Sequence, residues 1–97
     1  RAERMEKIRY GLKNKLEFME LWVKPEFDEC QMQEVISGIE KDFSKEQLLI
    51  YLTPHLSAHY MAIVRTDIEA GVPLEKVLLY ANCVDREVFE KTRIRVL

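Results

Sequence analysis

One spacing constrains this chain more than any other feature of it. Trp22, Tyr51 and Tyr80 lie 29 residues apart, and the same step separates Pro25, Pro54 and Cys83. Asp28, Ser57 and Arg86 keep it, as do Met32 and Met61, while Met5 precedes Met32 by 27 because the first inter-helix turn is two residues shorter. Several unlike residue types sharing one period make an internal repeat. A repeat this short cannot bury its own apolar face, so neighbouring units must stack.

The apolar pattern inside each unit is helical. Met5, Ile8, Leu12 and Leu16 recur at three or four residues, as do Met32, Val35, Ile36 and Ile39, and Met61, Val64 and Ile68. The run Leu48-Leu49-Ile50-Tyr51-Leu52 contains strand formers. It follows Ser44-Lys45-Glu46-Gln47, however, a capping box in which Ser44 takes a backbone N–H and Gln47 reaches back, so helix is preferred. Asp28, Ser57 and Asp85 are further N-cap candidates, Gly71 suits a left-handed C′ position and Pro73 suits N1. These signals predict helices over 2–13, 15–23, 28–42, 44–52, 57–70, 73–81 and 85–96. The expected fold is all-α: about seven short helices stacked as helical hairpin repeats, α-solenoid-like, winding as a right-handed superhelix.

At 97 residues the chain makes one domain, 1–97, burying roughly 60–65% of its unfolded surface. It begins on Arg1 rather than Met, and is read as a fragment of a longer chain. With 47% hydrophobic residues it is too apolar for intrinsic disorder, yet no run approaches the ~18 apolar residues of a membrane span. No membrane partner is expected. Net charge of −2 gives no general drive towards nucleic acid. Cys30 and Cys83 form no CxxC arrangement and read as partly buried free thiols of a cytoplasmic protein.

Met5-Glu-Lys-Ile-Arg-Tyr-Gly11-Leu, Met32-Gln-Glu-Val-Ile-Ser-Gly38-Ile-Glu40 and Ile68-Glu-Ala-Gly-Val-Pro-Leu-Glu-Lys-Val-Leu-Leu-Tyr80-Ala resemble a short tandem repeat of the pattern QMxxIRxGLExGLDVxxYAxPxFD. Lys24-Pro25-Glu26-Phe27-Asp28 matches its connecting segment. Such repeats occur in largely uncharacterised proteins of bacterial mobile elements, and the resemblance covers nearly the whole chain. It implies a helical-pair architecture and carries no catalytic residues. Ala62-Ile63 in place of a polar pair, Asp67 in place of the Gly and Cys83 in place of the Pro depart from the pattern and suggest degenerate units.

Chemistry has few places to reside. His55 and His59 have the i,i+4 spacing of metal ligands, but His55 precedes the cap Ser57 and only His59 should be helical, so surface histidines are the preferred reading. Cys30 and His59 occupy equivalent positions on successive long helices, which stack roughly 10 Å apart, too far for a thiolate–imidazole bond. The carboxylates at 26, 28, 29 and 34 suit helix starts. No catalytic residue, metal ligand, cofactor or small-molecule substrate is therefore assigned, and a non-enzymatic protein is expected. Trp22, Tyr51 and Tyr80 could stack on bases. They are read instead as core plugs, because they share a side with Leu21, Leu48 and Val77.

Charge is uneven: residues 1–15 carry six basic and two acidic groups, and 26–46 seven acidic and two basic. The helix after Ser44 is a poor groove reader, since it offers one Lys among Leu, Ile, Tyr and Gln. The expected role is a macromolecular-interaction scaffold or adaptor of a mobile genetic element, with a protein partner or self-association. Arg9, Lys13 and Lys15 on the basic end, and Tyr60 and Arg65 on the third long helix, are the candidate partner-binding residues. Val88, Phe89, Ile94 and Leu97 make the last helix rather apolar and are the candidates for self-association. The alternative is a nucleic-acid-binding accessory protein using the basic first helix.

Overall fold

The computed structural model describes residues 2–97. Among them seven helices run in order: α1 (Ala2–Lys13), α2 (Met19–Trp22), α3 (Glu29–Glu40), α4 (Lys45–Tyr51), α5 (Ala58–Glu69), α6 (Leu74–Ala81) and α7 (Arg86–Val96). No strand occurs among the described residues. None of these helices is long and apolar enough to cross a membrane. The long helices α1, α3 and α5 pack side by side, α4 and α6 lie against α5 and each other, and α7 packs on α6. The principal extents are 41 × 25 × 16 Å.

Local chemistry starts these helices. Asp28 and Ser44 each close a full capping box, with Gln31 and Gln47 returning the bond to the cap's own N–H. Ser57 accepts from Tyr60 N, and Asp85 from Val88 N. The third cap is therefore Asp85, and Arg86 begins the helix one residue earlier than the 29-residue step implies. Phe89, not residue 90, then takes the place of Met32 and Met61. Pro73 sits at the N-cap of α6 rather than at N1.

The three long helices before α7 end alike. Lys15, Asp42 and Gly71 all have positive φ, at 52°, 62° and 89°. Around each, the next N–H reaches back five residues: Leu16 to Gly11, Phe43 to Gly38, and Val72 to Asp67. The left-handed residue itself bonds three back, to Leu12, Ile39 and Ile68. These are Schellman closures. Only Gly71 announces one, because glycine alone adopts this conformation without steric cost.

This ending corrects the expected 15–23 helix. Lys15 is the C′ residue of α1, the chain turns through 14–18, Phe18 is also left-handed at φ 62°, and only Met19–Trp22 remain helical. Two non-glycine residues held at positive φ interrupt a pattern that otherwise reads as continuous.

Each Schellman acceptor faces the aromatic ring of the following short helix. A Cβ on Gly11 would lie 2.9 Å from Trp22 Cη2, and one on Gly38 would overlap the Tyr51 hydroxyl. At the equivalent place Asp67 carries a side chain, and Tyr80 Oη donates to its Oδ2 at 2.6 Å instead. Trp22, Tyr51 and Tyr80 are fully buried, with Met32, Ile36, Leu48, Met61, Val64, Val77 and Phe89 around them. Burial and close packing of this apolar set hold the helices together.

Candidate interaction surface

Gln31 and Asp67 are the buried polar residues among those described, and Asp67 is the charged one. It is buried, accepts from Tyr80, and receives a two-pronged bond from Arg93 of α7, Nε to Oδ2 at 2.7 Å and Nη2 to Oδ1 at 2.8 Å. Burial alone would push its carboxyl up, but the bonds from Arg93 and Tyr80 outweigh this and hold it below the usual carboxylate range. Burial, reinforced by Asp67, pushes the Tyr80 phenol far above its ordinary value. A carboxylate locked by an arginine and a phenol ties α7 to α5 and α6.

A second network joins α3 to α5. Arg65 Nε donates to Glu34 Oε1 at 3.0 Å and its Nη1 reaches Glu69. Burial opposes the charge of Arg65, yet these two carboxylates hold its proton more tightly than usual. Tyr51 donates to the Glu34 carbonyl at 3.0 Å.

The sequence-expected residues separate into several places. Arg9, Lys13 and Lys15 are exposed at the α1 end. Arg65 is engaged in its ion pairs, and Tyr60 is half-buried, its ring edge-on to Phe89 at 4.7 Å and its hydroxyl donating to Glu90 at 2.8 Å. Phe89 is buried against Tyr60 and Tyr80, so it belongs to the core and not to a self-association face. Val88, Ile94 and Leu97 are exposed. Val88 and Ile94 lie about 120° apart around α7 and Leu97 falls beyond its end, so the three form no single stripe along the helix.

Two of the basic residues of the first helix are also committed. Arg4 donates to the carbonyls of Phe27 and Lys24, and Lys7 to Gln33. His55 and His59 are exposed, and no group of three His, Cys, Asp or Glu fit to hold a metal occurs among the described residues. Cys30 is exposed rather than partly buried, and no hydrogen bond joins it to His59 among the described residues. Cys83 is half-buried.

Sequence reasoning missed the clearest concavity. Between α4 and α6 an open furrow of about 480 Å³ is floored by Leu49, Ile50, Leu74 and Leu78, with Lys45 and Glu46 on its rim. Leu49 and Leu78 are 29 residues apart and both exposed, so the signal was present: a leucine repeated on the side away from the buried aromatic. No family model matches this chain, and no curated protein or solved structure matches it either.

Proposed function

We propose that this chain is a non-enzymatic adaptor: a stack of helical pairs that presents apolar and charged helix faces to another polypeptide. The observation that carries this reading is the α4–α6 furrow, where leucines recur on an open face while Trp22, Tyr51 and Tyr80 are committed to the core. Leucines left exposed in register on neighbouring helices are suited to receiving an apolar partner. The like endings of α1, α3 and α5, and the aromatic set against each, support the stacked-pair description. A place in a bacterial mobile element, in the cytoplasm, belongs to the same proposal and rests on the repeat resemblance. The rival reading, nucleic-acid binding through α1, loses support from the engagement of Arg4 and Lys7 within the fold.

A photo-crosslinking amino acid at Leu78, in the natural host or its nearest culturable equivalent, tests the adaptor reading. A discrete polypeptide adduct that disappears on Leu49→Asp supports it. Adducts to nucleic acid alone, or none, refute it.

A further inference from the structure

Met61, Arg65 and Ile68 of α5 stand at i, i+4 and i+7, so they share one face of the helix within about 60° of arc. Arg65 identifies what that face meets: its guanidinium pairs with Glu34 of α3 at 3.0 Å. Beside that pair Met61 is 0% and Ile68 6% exposed. The same triple recurs on α1 as Met5, Arg9 and Leu12, with identical spacing. There Met5 is 42% and Leu12 65% exposed, and Arg9 has no ion pair among the described residues.

The charge around Arg9 sharpens the comparison. Arg65 has Glu69 four residues on, whereas Arg9 has Lys13, so α1 adds a second positive charge where α5 supplies a carboxylate. A group covering α1 must therefore bring negative charge to a place flanked by a methionine and a leucine. Within this molecule, α3 does that for α5.

We infer that the outer face of α1, through Met5, Arg9 and Leu12, docks an amphipathic helix of a partner polypeptide that sets a carboxylate against Arg9 between apolar residues, as α3 sets Glu34 against Arg65. A second copy of this chain fits poorly. Its outermost long helix, α7, carries Lys91 at the same distance past its N-cap as Glu34 is in α3, and Lys91 would face Arg9 with like charge. This inference rests on the adaptor reading and names the chemistry of one partner.

The test uses the 97-residue protein and a helix-stapled, fluorescein-labelled peptide copying residues 28–42, the segment whose Glu34 pairs with Arg65 of α5. Anisotropy titration should give saturable binding, weakened about tenfold or more by Arg9→Glu and by Leu12→Asp in the protein. Binding to the Arg9→Glu protein should return when the peptide carries Glu34→Arg. Circular dichroism should be unchanged in Arg9→Glu, since Arg9 holds nothing in the fold. No binding of the stapled helix, or binding indifferent to Arg9→Glu, overturns the inference. So does concentration-dependent self-association abolished by Arg9→Glu, which would make the occupant a second copy. Binding of a duplex DNA probe lost in Arg9→Glu, with no peptide binding, overturns it in favour of nucleic acid. Crosslinks at Leu78 that persist while the peptide arm fails would leave the adaptor standing and remove only this docking face.

Discussion

Replacing Gly38 by alanine should destabilise this protein, although alanine is the better helix former. Helix propensity alone favours the substitution by about 1 kcal/mol. Against it, the new methyl group would overlap the Tyr51 hydroxyl and press on Leu48 Cδ2 and Phe43 Cδ2 at 3.0 Å. Overfilling a packed site of this kind costs about 1–3 kcal/mol. Displacing Tyr51 also breaks its half-buried bond to the Glu34 carbonyl, at about 1 kcal/mol. The net expectation is a loss of about 2 kcal/mol, or a fall in Tm of roughly 8–16 °C for a domain of this size. Urea denaturation followed by far-ultraviolet circular dichroism measures it. Tyr51→Phe removes the atom that the methyl would strike, so Gly38→Ala should cost about 1 kcal/mol less in that background. Stabilisation by Gly38→Ala, or an unchanged penalty in the Tyr51→Phe protein, would refute the notch-and-ring packing.

Asp67 gives a pH dependence of known sign. Its folded carboxyl titrates below its unfolded value near 3.9, so its contribution is present above that value and lost as pH falls through the folded pKa. Asp67→Asn should therefore flatten the urea stability profile below about pH 4, and equal slopes would contradict the paired assignment. Lys15→Gly should stabilise by about 0.5–1 kcal/mol by relieving a left-handed residue, and no gain in urea midpoint would contradict the closure at the end of α1. On the rival reading, Arg9, Lys13 and Lys15 are the cations left free among the described residues of the first segment, so binding to a duplex should show a log–log salt slope no steeper than about −3. A steeper slope in anisotropy titrations would revive nucleic-acid recognition.

The sequence disclosed what local chemistry controls. Caps at Asp28, Ser44, Ser57 and Asp85, and the turn at Gly71, are each set within a few residues, and five of the seven helices follow from them, while α1 follows from its apolar spacing. The shortness of α2 was hidden because Lys15 and Phe18 take positive φ without being glycine. The side of α7 that faces inward was hidden for a different reason. Phe89 is drawn into the core by Tyr60 and Tyr80, from two other helices, and nothing within α7 records that. Asp67 was legible as a departure from the glycine of the repeat, but its meaning needed Arg93 beside it. The furrow was carried by Leu49 and Leu78, whose shared register was overshadowed by the aromatics.

The exchange of glycine for aspartate has an effect on how the molecule comes apart. The notch at Gly38 is filled entirely from within its own helical pair, by Tyr51, whereas the one at Asp67 requires a guanidinium supplied by the last helix. Detaching α7 would strand a buried anion, so α5, α6 and α7 should open as one cooperative block, with amide protons exchanging at a common rate. The notch at Gly38 makes no such demand on another helical pair. A substitution that looks like decay of the repeat pattern thus ties the final three helices into a single folding event.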